Sequence, residues 1–167
     1  AVSLRTGGSQ RYADWYIINT VGSAPNNTYL GDVAVRTLVP AGNGASSQLV
    51  GSDSNSTDNY LLVDELAPSS TDFVGSATIG EKDTYLIGDL PAGVALVHGV
   101  QVSGLMAKSD AGAASAKLIT RVTGTDYAPD TTALTTTYAE TMKFWETSPA
   151  TSTAWTVHLL QRRLHDR

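Results

Sequence analysis

Residues 53–59, Asp53-Ser54-Asn55-Ser56-Thr57-Asp58-Asn59, crowd carboxylate, amide and hydroxyl oxygens into one short stretch. Hard oxygen ligands of that kind suit calcium. An EF-hand loop is excluded, because Asp58 stands where that loop needs Gly. The plainer expectation is a solvated loop, and no metal ligand is assigned. Two close carboxylate pairs, Asp64 with Glu65 and Glu81 with Asp83, invite comparison with the acid/base pair of a glycosidase. That chemistry needs two carboxyls facing each other across a sugar at ~5–9 Å, which adjacency in sequence does not provide. Turn and solvent-facing roles are expected instead.

Aromatic and basic residues offer recognition rather than catalysis. Trp15, Trp145 and Trp155, with seven tyrosines, supply flat faces that stack on sugar rings or anchor interfaces. Tryptophans of a β-rich domain mostly fill its core, which is the expectation for Trp15 and Trp145. Trp155 lies in a polar, Thr-rich stretch and is named as a contact residue. Arg162, Arg163 and His165 join it, since residues 157–167 concentrate basic side chains on an otherwise acidic chain. These four form the candidate interface or glycan-contact set. No catalytic, cofactor-binding or metal-binding residue is assigned, and no cofactor is expected.

Several familiar patterns are missing. There is no G-x-S-x-G elbow and no H-E-x-x-H helix, so the commonest serine and zinc hydrolase scaffolds are absent. Gly42-Asn43-Gly44 resembles the start of a phosphate loop but lacks the later Gly and the Lys. His98 has no second ligand at metal spacing and reads as a core or subunit-interface histidine. Asn26-Asn27-Thr28 and Asn55-Ser56-Thr57 match the glycosylation acceptor pattern, a short motif that recurs by chance.

The elements that must position these residues are strands. The 167-residue chain suits one domain, with 41% hydrophobic and only 16% charged residues, so its polarity resides in Ser, Thr, Asn and Gly. That composition favours strands and tight turns over solvated helices. A net charge of −5 argues against nucleic-acid binding, which needs a basic stripe. With no cysteine, neither disulfides nor thiolate metal sites are available. No apolar run approaches the ~20 residues of a membrane-spanning helix, so no membrane insertion is expected. The first residues lack the charged-then-apolar order of a signal peptide, and a start without Met suggests trimming or a missing upstream segment.

Period-two alternation predicts strands at residues 11–19 and 32–38, the latter ended by Pro40. Residues 42–59 read as a long exposed loop. Further strands are expected at 60–63, 82–88, 96–107, 117–123 and 133–145. The 96–107 segment, with Leu96, His98, Val100, Val102 and Met106 on one face, is expected to form a hairpin with 117–123. Short strands between frequent turns predict an all-β, two-sheet β-sandwich or jelly roll over residues 1–156, followed by a basic tail or arm at 157–167.

Four ordered stretches carry a family resemblance: residues 16–38 (YIINTVGSAPNNTYLGDVAVRTL), 81–90 (EKDTYLIGDL), 97–113 (VHGVQVSGLMAKSDAGA) and 145–156 (WETSPATSTAWT). Together they resemble segments of phage and prophage virion structural proteins. The resemblance implies a non-enzymatic tail, appendage or capsid-surface component with a jelly-roll or lectin-like sandwich. Its implied partners are copies of itself and other virion proteins, with surface glycan as an alternative ligand, and its implied location is the virion surface. The alternative function is a carbohydrate-binding module for host or surface-glycan attachment. Two departures stand out. Proteins of this kind usually carry more chain before this region, and they continue past the position of Thr156 with a polar or acidic segment where this chain turns basic.

Overall fold

The computed structural model describes residues 16–157 and Leu160. The chain divides into two compact units, Ala1–Arg36 and Thr37–Arg167.

In the first unit the described residues hold no regular strand. Their order comes from side chains bonding to backbone. The Tyr16 hydroxyl accepts from the Leu30 N–H at 3.1 Å and donates to the Gly31 carbonyl at 3.3 Å, closing a loop between them. Within it, Asn27 donates to the Gly22 carbonyl at 2.9 Å. The strand expected at 11–19 is irregular over 16–19, and its remainder lies outside the described residues. The strand expected at 32–38 is likewise irregular, with Val35 77% exposed. Alternation needs a partner strand, and among the described residues this segment pairs with none.

The second unit carries all the described strands: β1 (Pro40–Ser47), β2 (Val50–Gly51), β3 (Val74–Gly75), β4 (Asp83–Ile87), β5 (Val100–Met106), β6 (Ser115–Ala116), β7 (Thr120–Val122), β8 (Thr125–Tyr127), β9 (Thr132–Ala133) and β10 (Ala139–Trp145). A short 3₁₀ helix, Asn59–Leu62, lies between β2 and β3. The class is all-β. The strands pair as five two-stranded antiparallel sheets: β1 with β4, β2 with β3, β5 with β10, β6 with β9 and β7 with β8.

Three sequence expectations are corrected here. The first part of the stretch expected as a long loop, 42–47, belongs to the eight-residue strand β1, which Pro40, expected to end a strand at 32–38, begins. Its glycines explain the misassignment. A Cβ on Gly44 would stand 2.4 Å from the Thr84 backbone oxygen, so β1 approaches β4 at a distance only glycine permits. The strand expected at 60–63 is instead the 3₁₀ helix, entered from Asp58 in the left-handed region at φ 54°.

The third correction concerns pairing. β5 does not form a hairpin with 117–123. It runs against β10 in unbroken register from Ala139↔Met106 to Trp145↔Val100. β7 instead turns back on β8 through Thr123-Gly124, both at positive φ (47° and 84°), the mirror-image turn that suits strand twist.

The described apolar core is small. Val122 (5% exposed) and Trp155 (2%) are its fully buried members. Trp155 forms an isolated antiparallel bridge with Val97 and donates its indole N–H to the Trp145 carbonyl at 3.0 Å. The Trp145 indole in turn donates to the Thr120 hydroxyl at 2.9 Å, tying β10 to β7.

Candidate functional site

Along β10 the side chains alternate. Thr141, Lys143 and Trp145 are half-buried, while Met142 and Phe144 on the other face are 56% and 58% exposed. The half-buried face meets the end of β8. Lys143 places its ammonium 5.1 Å from the Trp145 ring centroid and 2.8 Å from the Asp130 carboxylate. Such a cation over an indole face is attracted by the ring quadrupole.

On β8, Asp126 receives Lys82 at 2.5 Å and also the guanidinium of Arg121. The Lys82 hydrogen bond, supported by Arg121, holds the Asp126 carboxyl below the ordinary aspartate range, against an opposing effect of burial. The carboxylate therefore stays ionised through neutral pH and remains an acceptor.

A closed turn follows β10. The Ser148 N–H donates to the Thr153 carbonyl at 2.9 Å, and the Ser148 carbonyl accepts from Ser152 at 2.8 Å and Thr151 at 3.2 Å. The hydroxyls of Thr151 and Thr153 pair at 2.8 Å. Between this turn and β8 lies an open groove of about 500 Å³, lined among others by Asp126, Tyr127, Trp145, Thr147, Ser148 and Ser152. Ser148 is 0% exposed, and its hydroxyl has no hydrogen-bond partner. Aromatic rings, hydroxyls and one ionised carboxylate together suit a small polar ligand.

A second polar cluster serves the fold. The Asp83 carboxylate accepts from four donors: the N–H groups of Gln48 (2.6 Å) and Leu49 (2.8 Å), the Asn59 amide (2.6 Å) and the Tyr85 hydroxyl (3.0 Å). Asn59, fully buried, also donates to the Leu49 carbonyl at 2.9 Å. Burial first, and then the charge and hydrogen bond of Asp83, push the Tyr85 phenol far above its usual range. With its oxygens committed, Asp83 is an anchor for the β1–β4 region rather than half of an acid/base pair. Glu81 is similarly engaged by the Ser76 hydroxyl.

The oxygen-rich loop is spent on itself. Asp53 accepts from the Asn55 N–H (3.2 Å) and amide (2.6 Å), Asn55 from the Thr57 N–H (2.7 Å), and Asp58 from the Asn43 amide (2.8 Å). Among the described residues no group of three or more His, Cys, Asp or Glu is placed to hold a metal ion.

Of the residues named from sequence, Trp155 is buried, so its own ring is not exposed to stack on a sugar. Arg162, Arg163 and His165 lie outside the described residues, as does the rest of 157–167 apart from Val157 and Leu160. Trp15 also lies outside them. Trp145, expected in the core, is half-buried and faces the groove. The structure thus buries Trp155 more deeply than Trp145, because local polarity around Trp155 says nothing about the bridge it forms with Val97. No local signal joins Asp126 to Ser148.

The outer face of the β5–β10 ribbon is the other surface of note. Phe144 lies across Gly99, where a Cβ would come within 2.4 Å of its ring, and Met142 stands opposite Ser103. Elsewhere in the second unit Leu61 (54%), Leu66 (76%) and Leu96 (59%) are also exposed. No helix among the described residues is long and apolar enough to cross a membrane. The chain matches no protein-family model, no curated protein and no solved structure.

Proposed function

We propose that this chain is a non-enzymatic structural subunit on the surface of a phage-like particle, a head decoration, appendage or tail component that works through contacts with copies of itself and with other particle proteins. The observation that carries the assembly part is the exposed Met142–Phe144 face on a sheet of only two strands. Two-stranded ribbons are marginal alone, and three or more strands with a covered apolar face are needed for independent stability. Among the described residues each sheet has only two strands, and the outer edge of such a ribbon is a template for strand addition.

A second copy answers both needs. Fully burying a Phe or Met side chain contributes about 1.5–3 kcal/mol. In this reading the short ladders are parts of a two-sheet sandwich or jelly roll whose covering face comes from a neighbouring subunit. In a symmetric particle one modest interface is multiplied by copy number. The particle itself is inferred from the four ordered stretches that resemble virion structural proteins.

Imaging of assembled particles with a label on this chain tests the proposal. The expected result is density for the label at repeated, stoichiometric positions on the particle surface. A chain recovered wholly apart from particles would refute it.

A further inference from the structure

The groove beside Trp145 has a chemistry that subunit packing does not use. We infer that it is a binding site for a neutral saccharide, independent of the assembly contact on the opposite face of β10. Three features support this. Tyr127 and Trp145 supply aromatic surface against which the C–H face of a pyranose packs. Lys143 covers one face of the Trp145 ring, so stacking engages the ring atoms on the groove side.

Polar groups of the right kind sit beside those rings. Thr147 and Ser152 bring hydroxyls, while Asp126, its two oxygens held by Lys82 and Arg121, adds a carboxylate to the lining.

The charge balance selects against acidic sugars. Lys82 and Arg121 are engaged by Asp126, and Lys143 by Asp130. Among the described residues the groove therefore presents a carboxylate and hydroxyls but no unengaged cation to hold a uronate or sulfate. Its shape agrees, since an open groove of about 500 Å³ admits a few sugar units without enclosing them.

The test is binding of the full chain to a panel of neutral oligosaccharides (gluco-, galacto-, manno- and N-acetylglucosamine-based), followed by saturation-transfer NMR and tryptophan fluorescence. The expected result is saturable binding to at least one member. Tyr127→Ala should weaken it about tenfold. Trp145→Phe, which keeps a ring in place should the larger truncation unfold the chain, should weaken it measurably. Ile79→Ser, at a fully exposed position away from the groove, should leave affinity unchanged. Silence across the panel, equal affinity in the groove variants, or binding confined to acidic sugars would each overturn the inference.

Discussion

Asp126 shows what one carboxylate does when two cations converge on it. Its folded pKa is depressed, so its stabilising contribution is complete above the unfolded value and is lost as pH falls through the lowered folded value. Asp126→Asn should therefore lower the unfolding free energy at pH 7 by about 1 kcal/mol for a pair of partly exposed ion pairs, read as a lower urea midpoint. The difference from the parent chain should shrink as the buffer is acidified past that range. Urea titrations at a series of pH values check this, and a difference constant with pH would show that the ion pairs are not its source. A second residue-scale prediction concerns Thr123, a β-branched residue held at φ 47° in the β7–β8 turn. Such a conformation is costly for Thr and ordinary for Asn. Thr123→Asn should raise stability by about 1 kcal/mol, read as an increased denaturation midpoint.

At the level of elements, the strands legible from sequence are those whose alternation carries large apolar side chains. β4 falls within the expected 82–88 segment, β5 within 96–107, β7 within 117–123 and β10 within 133–145. β1 was hidden because PAGNGASS has no apolar rhythm to read, and its place comes from the close approach of Gly44 to Thr84. The partner of β5 was illegible for a different reason. The nearer segment 117–123 turns back on itself at Thr123-Gly124, leaving β10, well over thirty residues away from β5, to complete the register. Local pattern reports that a strand exists and which face is apolar, but not its neighbour. The groove shares that limit, because Asp126 and Ser148 meet only once β7, β8 and β10 are tied through Trp145 and Thr120. The β1–β4 contact yields its own prediction. Gly44→Ala drives a methyl into backbone and should cost about 1–3 kcal/mol. Gly42→Ala meets only the flexible end of Leu86 at 3.2 Å and should cost less. Paired unfolding curves decide it; equal losses would mean the two strands can move apart.

Over the whole second unit, the described residues bury little apolar surface and leave several large side chains in solvent. A stable subunit of that kind needs something to cover it, and the account assigns that task to other copies of the chain. Oligomerisation is concentration-dependent and linked to stability, so an assembled form should also unfold later as protein concentration rises. The β5–β10 face localises the effect, because Met142 and Phe144 project from it while the groove residues lie behind. Sedimentation equilibrium of the full chain, compared with Met142→Ser/Phe144→Ser, addresses this most directly. The account predicts a self-associated species that shifts toward the 17.5 kDa monomer in the double variant, with its far-UV spectrum retained. A parent chain that stays monomeric at every concentration up to its solubility limit would contradict it.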